Sequence, residues 1–489
     1  MKNHIFNSAS LKLPAIILSS LACLLYLAYL GQAIHLERAL YADGANFFVE
    51  LLTQKQSWPV ANDPVHIRLI VNFINQFPAA VALLLNVEDI RTLKLLFGSG
   101  LFLTPILAYL FCFFLSWRSH NYQVFFFSIA TLVTCALPSD IFILNQAFTT
   151  LALSWVLIHY LLLKLTVRWF DWFIIICISL VLFRAHESLI IWGGVFFIGS
   201  VAMLWFQRDL AFSKQNAHIY VIALFGLAQL SFVAFWQMSH PVGEQTNAFL
   251  QLFALLLPNQ LWTGNTRISL LTTVLLIFVA AYTPIQRYFS NKHTVNIFFA
   301  LIFIASVCLL IYSGASAIYQ HELTNPFREY AYRFLIPFGS VAWMLIAIFL
   351  ALSTVKIDLH IKHLAVIALS IGLISASMWQ LANNLQWAAF KKATEQELRT
   401  AGGPLLYADS VKQRLISNDQ EYAYKYRWDW AWPVFGMSLQ DDGRVKKIFK
   451  PEAFEPYFQP PAFLPFTSFV KGKGVYSFDG LQLENPSKP

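Results

Sequence analysis

Two carboxylates stand just past the first long apolar run of this chain, Glu37 and Asp43, within Leu36-Glu37-Arg38-Ala39-Leu40-Tyr41-Ala42-Asp43-Gly44-Ala45-Asn46-Phe47-Phe48. A carboxylate in such a place suits two tasks: taking the proton of an acceptor hydroxyl, or holding a divalent ion. Asp43 precedes Gly44, whose missing Cβ lets a substrate come close to the backbone. The same aspartate is a good N-cap for a helix that begins at Gly44, and one residue can fill both roles. Glu37 has plainer readings, as a partner for Arg38 or a marker of where the apolar run ends.

The cations that could face such an acid are Arg184, His186, Arg328 and Arg333. Guanidinium forks match phosphate oxygens and stay charged, so arginines at a membrane edge suit a lipid-linked phosphate. Helical ion pairing competes with that reading: Glu329 and Arg333 are spaced i, i+4, and Arg184 and Glu187 i, i+3. His186 can serve as base, ligand or helix-end residue. No His/Cys spacing gives it metal partners, so no cofactor is assigned, and a divalent cation is the one that the carboxylates leave open. Arg68 heads a polar stripe with Asn72, Asn75 and Gln76, spaced i, i+4, i+7 and i+8. Trp428, Trp430 and Trp432 alternate, which on a strand would line one surface with three indoles, fit for sugar rings, a lipid interface or a domain core. No Walker loop, G-x-G-x-x-G after a strand, or G-x-S-x-G occurs, which argues against nucleotide hydrolysis and dinucleotide chemistry.

What must position these groups is mostly apolar. Hydrophobic residues make up 57% of the chain and charged residues 12%, a balance that no soluble core of this size accommodates. Runs near the length a bilayer needs occur at 13–34, 93–115, 122–137, 143–163, 172–183, 188–206, 219–238, 269–285, 294–314, 334–352 and 364–381. The first follows Lys2 and Lys12 and ends near Gly31-Gln32-Ala33, but it is longer than a signal-peptide core and reads as a retained span. Eleven spans put the termini on opposite sides. With the N-terminus inside, the inside loops carry Arg118; Lys164 and Arg168; Arg208 and Lys214; Arg287 and Lys292; Lys356 and Lys362. The outside turn 138–140 carries no basic residue and the loop 239–267 only Arg267. The net charge of +8 therefore reads as a topology signal rather than a nucleic-acid footprint.

Two segments of the first outer loop, 44–54 and 66–86, read as helices lying at the lipid interface. In the first, Phe47, Phe48, Leu51 and Leu52 form the apolar stripe, and Asn46 and Glu50 share the other side. In the second the polar stripe headed by Arg68 faces a watery cavity; the alternative is an ordinary span whose polar stripe packs on neighbouring helices. The five cysteines all fall in apolar runs and read as buried small hydrophobes. From residue 382 charges, prolines and glycines rise. The sequence thus predicts an all-α polytopic membrane domain of about eleven transmembrane helices over 1–381, and a small α+β extracytoplasmic domain over 382–489.

This outline resembles the GT-C glycosyltransferases, multi-spanning enzymes that use polyprenyl-phosphate-linked sugars. The shared features are an inside N-terminus, a long acidic first outer loop, later outer loops bearing Arg and His, and an outside C-terminal domain. In that family an acid of the first outer loop activates the acceptor and basic residues of later outer loops hold the lipid phosphate. The resemblance implies Asp43 for the first role, and Arg184, Arg328 or Arg333 for the second. The expected site then has Asp43, Glu37 and His186 near the chemistry, Arg184, Arg328, Arg333 and Arg68 near the donor phosphate, and Trp428, Trp430, Trp432 and Asn46 near the acceptor. The expected activity is hexosyl or pentosyl transfer from a polyprenyl-phosphate donor to an envelope glycan, lipid or protein, on the outer face of a bacterial inner membrane. Its partners are that lipid-linked donor, membrane lipids and the acceptor, with no nucleic acid. Two rival expectations are a carrier or flippase for a lipid-linked glycan, which would want charges at the bilayer midplane and two related halves, and an envelope-assembly protein without chemistry.

Overall fold

A computed structural model describes residues 8–53, 58–59, 67–137, 146–206, 216–240, 264–288, 292–319, 335–353, 357–403, 405–407, 411, 413, 431–450 and 475–476. The helices in chain order are α1 (Ser8–His35), α2 (Asp43–Thr53), α3 (Leu69–Leu84), α4 (Ile90–Arg118), α5 (Gln123–Thr131), α6 (Gln146–Leu162), α7 (Trp169–Leu182) and α8 (Leu189–Phe206). They continue with α9 (Ala217–Ser239), α10 (Gly264–Tyr288), α11 (Lys292–Tyr319), α12 (Ser340–Leu352), α13 (Leu359–Thr400) and α14 (Trp432–Ser438). Two short strands, β1 (Leu405–Tyr407) and β2 (Ile448–Lys450), pair in parallel with Leu405 opposite Ile448.

Among the described residues eight helical segments are long and apolar enough to cross a membrane: Ser10–His35, Ile90–Arg118, Leu189–Phe206, Ala217–Ser239, Thr266–Gln286, Thr294–Ser316, Leu335–Leu352 and Leu359–Thr400. The chain is therefore a mainly helical protein with the dimensions of a multi-pass membrane protein. The runs at 122–137, 143–163 and 172–183 fall on shorter apolar helices, Gln123–Ala136, Gln146–Leu162 and Trp169–Leu182.

The chain forms two compact units. The first comprises Met1–Leu30, Pro105–Gln320 and Asn325–Ala382. Small residues let its helices come into backbone contact: a Cβ on Gly193 of α8 would lie 2.7 Å from the Gly226 carbonyl oxygen, and one on Gly226 of α9 2.8 Å from that of Gly193. Two π-helical segments, Leu132–Ala136 and Leu335–Gly339, pack against each other. A π turn leaves carbonyls without their usual partner, and side chains from other helices take them up. Ser269 Oγ donates to the Thr134 carbonyl, Gln380 Nε2 to that of Leu137 at 2.7 Å, and Trp192 Nε1 to that of Pro337 at 3.3 Å. Trp343 Nε1 also donates to Thr134 Oγ1 at 2.9 Å. One ion pair within this unit is satisfied in the same way. Arg118 grips Asp171 with two bonds of 2.8 and 3.0 Å, and Tyr160 Oη donates to the same carboxylate at 2.9 Å.

The second unit comprises Gly31–Thr104, His321–Thr324 and Asn383–Pro489. It is built around an aromatic core in which Trp387 and Phe390 of α13 meet Trp432 and Phe435 of α14, with ring centroids 5.3 to 5.8 Å apart. Gly436 sits directly over the Phe449 ring, where a Cβ would come within 2.6 Å, so α14 lies flat on β2. Helix α2 packs on α14, and its Phe48 meets Phe97 of α4 at 5.5 Å. Phe47, Phe48, Leu51 and Leu52 are thereby buried in protein, which corrects the expectation that this stripe faces lipid. A sequence 380 residues further on supplies the cover, and local periodicity carries no trace of it.

Helix α3 also departs from expectation. Its polar residues Asn72, Asn75 and Gln76 are buried, while Phe73, Phe77 and Leu84 are exposed, with Trp58 stacked on Phe73 at 4.0 Å. The polar stripe turns into the protein rather than toward a watery cavity. The reason lies in packing: Gly100 of α4 accepts α3 so closely that a Cβ there would sit 2.1 Å from the Asn75 carbonyl oxygen. Of the five cysteines, Cys112 and Cys135 are buried as expected and Cys23 and Cys308 are exposed on their helices.

Candidate functional site

The stretch from α1 to α2 is shaped by two residues in left-handed backbone conformation, Glu37 (φ 57°) and Ala42 (φ 48°). Between them lies a 3₁₀ turn, Arg38–Leu40, and Asp43 opens α2 directly after Ala42. An alanine held at positive φ costs on the order of 1 kcal/mol or more, and such strain persists only where surrounding structure fixes it.

An ionic network holds the first of these bends. Glu37 Oε2 lies 2.8 Å from Lys391 Nζ of α13 and 3.2 Å from Lys94 Nζ of α4. Lys94, with 1% of its side chain exposed, also lies 2.6 Å from Asp441 Oδ1, and Arg91 Nε donates to the other oxygen of Asp441 at 2.9 Å. Burial would raise the Asp441 carboxyl, but Lys94 and Arg91 hold it below the usual carboxylate range. Glu37 is thus committed to two lysines. Arg38 is turned inward, 1% exposed, and its Nη1 donates to Asn384 Oδ1 at 2.7 Å. Asn384 in turn donates to Gln32 Oε1 at 3.1 Å, and Trp387 Nε1 to the Leu36 carbonyl at 3.1 Å.

Tyr41 and Ala42, immediately before Asp43, form one wall of an aromatic hollow completed by Trp387, Phe390, Ala431, Trp432 and Phe435. Its volume, about 10 Å³, leaves room for no more than about one water molecule, so as it stands it is no ligand cleft. Trp432 opens a helix instead of continuing a strand, and its indole is buried in the aromatic core. Trp428 and Trp430 lie outside the described residues, as do Arg328 and Arg333.

On α2 every residue from Gly44 to Thr53 is buried except Asn46 and Glu50, which are half-buried like Asp43. Positions 43, 46 and 50 are i, i+3 and i+7, so one narrow polar face runs the length of the helix. Burial pushes the Glu50 carboxyl up to about 6. Arg68 stands half-buried at the residue before α3.

In the other unit, Arg184 and His186 lie in the turn between α7 and α8. The Arg184 guanidinium sits 5.0 Å above the Trp236 ring, and His240 stacks on that indole at 4.4 Å. Glu187 lies 3.4 Å from His186 Nε2, so the i, i+3 pair with Arg184 is not formed; among the described residues no carboxylate is paired with Arg184. His186 Nδ1 shares a 2.9 Å hydrogen bond with Ser188 Oγ.

Sequence reasoning missed Arg38, Lys94, Lys391, Asn384 and Asp441. Lys94 sits at the start of an apolar run, where a lone lysine reads as a span-end marker, and its partners are remote in sequence. Among the described residues no group of three or more His, Cys, Asp or Glu side chains could hold a metal ion. Comparison with protein-family profiles, curated proteins and solved structures gives no match for this chain.

Proposed function

We propose that this chain is a membrane glycosyltransferase of the GT-C kind, moving a sugar from a polyprenyl-phosphate donor to an envelope glycan, lipid or protein acceptor. In this reading Asp43 engages the acceptor hydroxyl, and Arg184, with Arg328, Arg333 and Arg68, serves the donor phosphate. Reaction takes place on the extracytoplasmic face of a bacterial inner membrane. Eleven spans carry the chain, the three shorter apolar helices included, and its C-terminal residues form a small mixed domain outside.

One observation carries the reading: Asp43 heads a half-open polar face on an otherwise buried helix, behind a strained alanine, while Glu37 and Asp441 are spent on lysine and arginine. An acid in the first turn of a helix whose side chain is only half-buried is placed where an acceptor hydroxyl can reach it. The charge-free pairing of Arg184, stacked on an indole, suits a cation that waits for an anionic ligand. A carrier would want charges at helix midpoints, whereas the paired charges Arg118 and Asp171 stand at helix ends, Arg118 closing α4 and Asp171 in the first turn of α7.

The test is transfer by purified protein from a polyprenyl-phosphate sugar. Asp43→Asn is expected to lower kcat by a factor of about 100 or more with insertion and folding unchanged. Full activity in that variant removes Asp43 from the mechanism, and a wild-type chain that binds but never consumes the donor removes the transferase reading.

A further inference from the structure

The polar face of α2 holds a second carboxylate that is paired with no side chain among the described residues. Glu50 lies two turns beyond Asp43, about 10 Å along the helix axis, with the Asn46 amide between them. Several described acids of this unit have partners: Glu37 has Lys94 and Lys391, Asp441 has Lys94 and Arg91, Asp442 has Lys446, Glu395 has Lys391, and Asp89 caps α4 through Thr92. Among the described residues Glu50 has none, although its helix is otherwise wrapped in protein. The elements packed on α2 explain why. The 3₁₀ turn brings Arg38, which is bound to Asn384; α4 brings Lys94, bound to Glu37 and Asp441; α14 carries no titratable group; and Tyr476, beside the Val475 amide that donates to the Leu52 carbonyl, carries no charge. Leaving a half-buried carboxylate uncompensated is a cost to folding, and a group kept at such cost is a candidate for work on protons.

Resting on the transferase reading above, we propose that Glu50 is the proton-accepting residue of the site. Asp43 touches the acceptor hydroxyl, and Glu50 receives the proton from it along the polar face. The bookkeeping of the step is complete with these groups. The acceptor O–H bond breaks as its oxygen bonds to the sugar carbon, and the bond from that carbon to the phosphate oxygen breaks with its electron pair leaving on the phosphate. The proton passes through Asp43 and water along this face to Glu50, and is later lost to solvent. A carboxyl that titrates close to neutral pH suits this duty better than one in the usual acid range, since it holds the proton after transfer and releases it before the next turnover.

The experiment pairs a pH–rate profile with a spectroscopic titration on wild type, Glu50→Gln, Glu50→Asp and Asp43→Asn. Expected is a carboxyl infrared band titrating near pH 6 in wild type and Asp43→Asn that vanishes in Glu50→Gln. Glu50→Gln should lose about tenfold to a hundredfold in kcat, keep its donor KM, and lose the acid limb of the profile, with partial rescue by Glu50→Asp. Wild-type kcat and an unchanged acid limb in Glu50→Gln overturn the proposal, as does a band that survives that substitution. A band that belongs to Glu50 in a wild-type protein that transfers no sugar overturns the transferase reading instead and leaves Glu50 a proton site.

Discussion

Lys94 shows what single residues do here. It is buried at the meeting point of Glu37 and Asp441, so removing it takes one of two cationic partners from each carboxylate at once. Lys94→Met is expected to destabilise the protein by on the order of 2 kcal/mol, since breaking a buried pair leaves uncompensated charge while Lys391 and Arg91 retain part of the network. A double-mutant cycle with Glu37→Gln, read from thermal unfolding in detergent, should give a coupling well above the additive scatter; strict additivity would show that the contact is idle. The two perturbed acids respond to pH in opposite senses. Asp441 is held below its unfolded value, so its contribution is present above the ordinary carboxylate range and is lost as pH falls through its lowered value. Glu50 is raised, so the protonated form is the favoured one, and stability drops as pH rises through about 6. Glu50→Gln should therefore melt higher than wild type at pH 7.5, by a few degrees, and the gap should close below about pH 5. Equal melting at both pH values would mean that the carboxylate is not strained. Asn46 and Glu50 were legible in the sequence as the polar side of a short helix. The network was not: Glu37 reads locally as a neighbour of Arg38, and its true partners stand at 94 and 391.

At the scale of elements, helix identity was written in the apolar runs, and each of the eleven falls on a helix. Which way a helix faces was not. Helices α2 and α3 have the amphipathic patterns of interface helices, but a pattern states only that two sides differ. The aromatic core of α13 and α14 claims the apolar side of α2, and α4 claims the polar side of α3. This can be checked at Gly100, where an added methyl meets the Asn75 backbone rather than a flexible side chain. Gly100→Ala is expected to cost about 1–3 kcal/mol by overpacking, despite the better helix propensity of alanine. Gly31→Ala is the control: nothing lies within 4 Å of its added Cβ, so that change should be neutral or slightly stabilising. Matching melts for the two variants would mean that α3 does not seat on α4 as described.

For the whole molecule the open number is the count of crossings, and its parity decides the outcome. Eight crossings would return the C-terminus to the side of the N-terminus, whereas the eleven proposed send it across. A C-terminal reporter that is active only outside the cytoplasm should therefore be on, and one that needs the cytoplasm should be dark; the reverse would exclude the odd count and turn every later loop over. The charge pattern of the short loops argues for the odd count, whereas helices α5, α6 and α7 fall short of standard span length and length alone would drop them. The crossing of α8 and α9 has a consequence for descent. Gly193 and Gly226 each occupy the space that the other's side chain would need, so neither position can accept a larger residue while its counterpart stays put. A distant cousin whose surface has drifted beyond resemblance should still hold small residues at both places, or have changed the two in step.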